Sequence, residues 1–151
     1  KTPLHVASSQ ENNEKMIALL LNNKASVNVV DSHEETPLHV ACKLKNNERV
    51  IELLLKHHAK VNAKQKKGRT PFHFACHQEN NEHAIQLLLN HQANVNEKDN
   101  GGDTPLHYAC YQKYNEKVIE LLLNHHANVN EKDDRGQAPL HIACRLENNE
   151  K

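Results

Sequence analysis

Apolar residues recur along this chain in a fixed rhythm. A short apolar cluster opened by Thr-Pro-Leu-His is followed by a polar, Asn-rich stretch, then by a segment ending in three leucines, then by a polar loop. The openings are Thr2-Pro3-Leu4-His5, Thr36-Pro37-Leu38-His39, Thr70-Pro71-Phe72-His73, Thr104-Pro105-Leu106-His107 and Ala138-Pro139-Leu140-His141, each 34 residues after the last. Two further ladders hold the same phase: Leu19–Leu21, Leu53–Leu55, Leu87–Leu89 and Leu121–Leu123, and Val27-Asn28, Val61-Asn62, Val95-Asn96 and Val129-Asn130. Three motifs in one phase over the whole chain define a repeat architecture. The expected organisation is one domain over 1–151, with repeats 2–35, 36–69, 70–103, 104–137 and a partial repeat 138–151.

Each unit reads as helix, turn, helix, loop. Pro37 suits a first helical turn, where its fixed φ fits and its missing N–H is not needed, and Thr36 is a suitable N-cap. The first helix is expected to end near Asn46-Asn47. There one Asn takes the left-handed conformation and the next caps the second helix. Glu48 favours the positive end of that helix. Val50, Ile51, Leu54 and Leu55 then form one apolar stripe, with Glu52 and Lys56 facing away. Both helices fall short of the ~12–15 residues at which an isolated helix becomes marginal. The stripe must therefore be buried against the next unit, and the units stack as a rod. The fold class expected is all-α: a solenoid of helix-turn-helix units joined by β-hairpin-like loops.

The motif Thr-Pro-Leu-His-x-Ala, present at 36–41 and 104–109, resembles the signature of the ankyrin-repeat family, as do Leu-Leu-Leu and Ala59-Lys60-Val61-Asn62. The likeness covers the whole chain, with departures. The period is one residue longer than the family's usual ~33, the extra residue falling in the inter-helix turn at Lys45-Asn46-Asn47. The family's Gly after the second helix is replaced by Lys24, His58, Gln92 and His126. The hairpin Gly is kept as Gly68, Gly102 and Gly136 but replaced by Glu34. A side chain in a left-handed conformation at these places would cost about 1 kcal/mol relative to Gly. The chain starts without Met and stops before the second helix of a unit, from which it is expected to be part of a longer array continuing in both directions.

Composition narrows the function. The 151 residues carry no net charge with His neutral, 25% charged and 37% apolar residues, a globular mixture. Zero net charge argues against a general nucleic-acid footprint. No apolar run approaches the ~18–20 residues of a membrane span, and the first residues do not resemble a signal peptide.

Candidate chemistry is sparse. The ladder His5, His39, His73, His107 and His141 is spaced by the repeat. Neighbours ~8–10 Å apart are too distant to share a zinc ion with ligands at ~2 Å, and the resemblance implies that this His ties loops together. The adjacent pairs His57-His58 and His125-His126 point apart and chelate poorly. Cys42, Cys76, Cys110 and Cys144 share one repeat position, expected to be a small buried site too far from its neighbours for disulfides. Reduced thiols fit a cytoplasmic or nuclear setting. No phosphate loop, metalloprotease motif or distinctive carboxylate pair is present. Neither catalytic residue, metal nor cofactor is expected. Phe74 and Tyr108, with Val6, Val40 and Ile142, are expected to pack between first helices. Tyr111 and Tyr114 lie where other repeats are polar and are candidate binding anchors.

By resemblance, partners meet the concave surface formed by hairpin tips and first helices. Residues that vary from repeat to repeat fall there: His33, Glu35, Lys66, Lys67, Arg69, Asp103, Asp134 and Arg135 on the hairpins, and Lys43, His77, Tyr111, Gln112 and Arg145 after the Ala-Cys element, with Tyr114 beyond. Charge is ordered along the rod. Lys56, Lys60, Lys64, Lys66, Lys67 and Arg69 are followed by Glu97, Asp99 and Asp103, a pattern that orients a partner of opposite order. The expected function is a monomeric scaffold for a protein or peptide. The alternatives are a regulatory or targeting arm of a larger enzyme, channel or pathogen effector, and a salt-sensitive small-ligand or nucleic-acid site on the basic second repeat.

Overall fold

The computed structural model of the chain describes residues 1–11, 13–113 and 115–148, with backbone alone for 146–148. The described residues form helices and turns without strands: α1 (Pro3–Ser8), α2 (Glu14–Asn22), α3 (Pro37–Ala41), α4 (Glu48–Lys56), α5 (Pro71–Cys76), α6 (Glu82–Asn90), α7 (Pro105–Cys110), α8 (Glu116–Asn124) and α9 (Pro139–Asn148). The first helices α1, α3, α5, α7 and α9 pack in one row and the second helices α2, α4, α6 and α8 in another. Between the rows lies one continuous core, with Leu38, Ile51, Leu54, Phe72, Ile85, Leu88 and Leu122 wholly buried. Each such side chain contributes roughly 1.5–3 kcal/mol of transfer free energy. This is the all-α solenoid expected of the repeat.

The first helices are shorter than expected. Chain 42–46 runs through turns instead of extending α3 toward Asn47, and the same holds after α1, α5 and α7. The physical reason lies in the second Asn. Asn46 and Asn80 are left-handed as expected, with φ of 56° and 55°. Asn47, however, does not cap α4 with its side chain. Its amide is buried and donates backward to the Ala41 carbonyl at 3.2 Å and to Ser8 of the preceding repeat at 3.4 Å. Asn81 and Asn115 repeat the bond to Ala75 (3.0 Å) and Ala109 (3.2 Å). The residue satisfies the open carbonyls of the first helix, which shortens it.

The hairpins are turns stacked edge to edge. Asp31, Gln65, Asp99 and Asp133 each donate a backbone N–H across the hairpin base at 3.0 Å. Successive tips join through Lys66 to His33 (3.1 Å), Asn100 to Lys67 (2.9 Å) and Asp134 to Gly101 (2.9 Å). Gly68 is required there: at φ 74°, a Cβ would collide with Asn100 Oδ1 and lie 2.9 Å from the Asn100 backbone nitrogen.

Lys24, His58, Gln92 and His126 are all left-handed, with φ of 64–66°. Their side chains are exposed and form no hydrogen bond among the described residues. Gln92→Gly should therefore stabilise the array by about 0.5–1 kcal/mol, the relief of the left-handed penalty less the entropy glycine adds to the unfolded chain. Urea unfolding checks this, and an unchanged or lower midpoint would count against it.

Two core assignments need correction. Val6 is 48% exposed, whereas Val40, Tyr108 and Ile142 at the same repeat position are buried and Phe74 is half-buried. Cys42, Cys76 and Cys110 are buried free thiols, but Cys144 is exposed on α9. Both exceptions sit on the outermost first helices of the row, where one flank of the helix has no neighbour in this chain.

Candidate functional site

The frame of the site is built from residues that recur at the same repeat positions. His39 Nδ1 accepts from the Thr36 N–H at 3.0 Å, and Nε2 donates to the Arg69 carbonyl 30 residues on at 3.1 Å. His5, His73 and His107 reach Glu35, Asp103 and Gln137 in the same way, at 2.7, 3.2 and 3.0 Å. Each imidazole thus locks the start of a first helix to the base of the next hairpin, as the resemblance implied. Burial pushes His39 below its ordinary pKa, and His73 down to about 4. The Val-Asn ladder makes a second tie. Asn28, Asn62 and Asn96 each donate to the carbonyl of the left-handed residue in the following repeat (His58, Gln92, His126) at 3.0–3.1 Å. The same side chains accept from Lys60, Asn94 and Asn128 N–H at 2.7–2.9 Å.

On this frame the variable residues separate into two groups. The first is drawn into internal contacts. Glu35 is buried and paired with Lys43 at 2.6 Å, and the Lys43 ammonium lies 4.7 Å above the Phe74 ring. The guanidinium of Arg69 covers the Tyr108 ring at 5.3 Å, and its Nε is 3.4 Å from Asp99. Tyr108 donates its hydroxyl to that same Asp99 carboxylate at 2.8 Å. Burial alone would raise the Asp99 pKa, but the Tyr108 hydroxyl and the Gly101 and Asp103 N–H groups outweigh it and hold the carboxyl below its ordinary value. Asp99 therefore acts as the node of repeats 2, 3 and 4, joining guanidinium, hairpin and ring. Nothing in the 34-residue rhythm marked it, because its partners come from three separate variable positions.

The second group is left open. Lys66 and Lys67 are exposed at a hairpin tip and make no ion pair among the described residues. His33, Asp134, Arg135 and Arg145 are also exposed. Tyr111 stands 38% exposed, its ring edge-on to Tyr108 with centroids 6.4 Å apart. His77 and Gln112 meet at 3.1 Å beside it. Asp103 is half-buried, and burial, with Asp99 and Asp133 nearby, raises its carboxyl pKa. Tyr114 lies outside the described residues. The structure thus brings His77, Asp103, Tyr111 and Gln112 into one neighbourhood, while Lys66 and Lys67 lie one hairpin earlier.

No group of three His, Cys, Asp or Glu side chains among the described residues could hold a metal ion. No described helix is long and apolar enough to cross a membrane. Searching curated proteins returns no match to the chain. A family model described as ankyrin repeats matches in three copies, over residues 1–65, 46–133 and 102–151. That match spans the whole chain, and the recurring Thr-Pro-Leu-His ties and Val-Asn ladder give it a structural basis: the chain belongs to the ankyrin-repeat family, whose members generally serve as protein-interaction modules.

Proposed function

We propose that this array is a non-catalytic scaffold that binds a protein or peptide segment across its hairpin tips and first helices, in a cytoplasmic or nuclear setting. One observation carries the reading. The side chains that recur between repeats are spent on backbone ties from one repeat to the next, in the His and Asn ladders, whereas the exposed positions of this one face differ from repeat to repeat. A fixed frame bearing a variable face is what selective binding requires. The anchor set is narrower than the variable positions alone indicate. Glu35, Lys43 and Arg69 are committed internally, so Lys66, Lys67 and Tyr111 are the exposed anchors. Tyrosine is among the residue types enriched at binding hot spots. The order of charge, basic at Lys66-Lys67 and acidic at Asp103, sets the direction in which a partner lies.

The test is retention of protein from cell extract on the immobilised chain, comparing wild type with Lys66→Glu/Lys67→Glu/Tyr111→Ala. All three side chains are exposed, so the variant should unfold within a few degrees of wild type. A protein held by the wild type should be lost by more than about tenfold on the variant, the change that 1.4 kcal/mol of anchor energy produces. Equal retention would remove these residues from the binding face. No specific retention by either form would favour the arm-of-a-larger-protein alternative.

A further inference from the structure

Each hairpin base and the chain at the end of the following first helix carry two variable residues eight apart: Glu35 and Lys43, Arg69 and His77, Asp103 and Tyr111, Gln137 and Arg145. At the first pair the chain fills its own needs. Lys43 Nζ sits 2.6 Å from the Glu35 carboxylate and 4.7 Å from the Phe74 ring centroid. The second pair follows the same logic with Arg69, set between the Asp99 carboxylate and the Tyr108 ring at 3.4 and 5.3 Å. Two consecutive steps therefore hold a cation between a carboxylate and an aromatic face.

The third step has the carboxylate but lacks the cation, and the ring position of Phe74 and Tyr108 holds Ile142 there. Asp103 forms no ion pair among the described residues, and its Oδ1 is buried without a hydrogen-bond donor. Tyr111 stands where Lys43 stands two repeats earlier, with its ring partly open to solvent. A half-buried carboxylate with no cation beside it and no donor on its inner oxygen is incompletely compensated, and its open side is left for a partner's cation. The groups facing Asp103 favour a cation over a neutral donor. Asp99 and Asp133 add negative potential, which His107 and Arg135 offset only in part. Near Tyr111 the charged groups are again Asp103 and Asp133, with Arg135 and Arg145. A metal ion does not fit, since no group of three ligating side chains converges there among the described residues.

We propose that Asp103 and Tyr111 form a receptor for one basic side chain of the bound protein, a lysine or arginine that pairs with the Asp103 carboxylate beside the exposed Tyr111 ring. This rests on the reading that the face binds protein, and it specifies the partner. The bound segment presents a basic residue to the third step, held by a charge-assisted hydrogen bond and by the Tyr111 ring. Occupation of the earlier steps by Lys43 and Arg69 confines this preference to one position along the array.

The test uses a phage-displayed library of random twelve-residue peptides, selected on the immobilised full chain. Wild type is compared with Asp103→Asn, which removes the charge without changing shape, and with Asp103→Glu/Tyr111→Lys. The double variant rebuilds the Glu35–Lys43 pair at the third step, so the receptor is filled from within. Thermal unfolding of each confirms that it is folded. Wild type should enrich lysine or arginine at a single peptide position by about tenfold or more. Both variants should still select peptides but without that preference. A wild-type pool lacking a basic position, or a preference that survives in a folded variant, overturns the receptor while leaving protein binding in place. A wild-type pool with no enrichment of any peptide overturns both.

Discussion

His73→Ala should destabilise the array by about 3–5 kcal/mol. The imidazole is wholly buried, accepts from the Thr70 N–H at 3.0 Å and donates to the Asp103 carbonyl at 3.2 Å. Alanine leaves the buried Thr70 N–H and the partly buried Asp103 carbonyl unpaired, at roughly 1–3 kcal/mol for each unsatisfied group, and opens a cavity where the ring stood. Against a total stability of ~5–15 kcal/mol this is a large fraction. It falls on the joint between two repeats, where an array held only by neighbour contacts has no alternative support. His141→Ala is the internal control. That ring is exposed, follows Ala138 in place of Thr, and among the described residues accepts only the Ala138 N–H, at 3.1 Å. Its loss should cost about 1 kcal/mol or less. Urea unfolding separates the two, and a His73→Ala midpoint matching that of His141→Ala would refute the role given to the ladder.

Acid should weaken the fold well before its carboxylates titrate. Burial lowers the His73 pKa from an ordinary 6.5 to about 4, and lowers His39 in the same direction. Between those two values the unfolded chain binds a proton that the folded chain rejects, so stability rises with pH. The contribution is complete above about pH 6.5 and is lost as pH falls toward 4, about 3 kcal/mol for His73 at 1.36 kcal/mol per unit. Asp103 runs the opposite way. Its raised pKa means that the folded chain takes up a proton first, which offsets part of the loss. Asp31, Glu97, Asp99 and Glu131 lie below their ordinary values and add a further loss only at lower pH. Urea midpoints at about pH 7, 5.5 and 4.5 should fall steadily. A flat profile over that range would contradict the buried, neutral state of these imidazoles.

The frame was legible in the sequence because every tie in it recurs. Thr-Pro-Leu-His and Val-Asn bond from one repeat to the next, so the contact and the motif share a period. Left-handed backbone at Lys24, His58, Gln92 and His126 followed from the place where the family carries glycine. Asn47 was misread for a physical reason. An Asn before a helix has the chemistry of an N-cap, and only its burial shows that the amide turns back to Ala41. The site was less legible. Tyr111 could be picked out as an aromatic residue among polar equivalents. The Asp99 node could not, since Arg69, Tyr108 and the hairpin N–H groups converge on it from variable positions. The unfilled state of Asp103 emerges only beside the filled state of Glu35, a comparison of contacts and not of residue types.

Site-specific photocrosslinking addresses the central claim most directly. A benzoylphenylalanine is placed at Tyr111 on the variable face, or at Gln86 on the opposite row of helices, and each chain is irradiated in cell extract. Binding across the hairpins and first helices requires a discrete crosslinked protein from position 111 and none from position 86. The reverse pattern, or the same products from both positions, would contradict it.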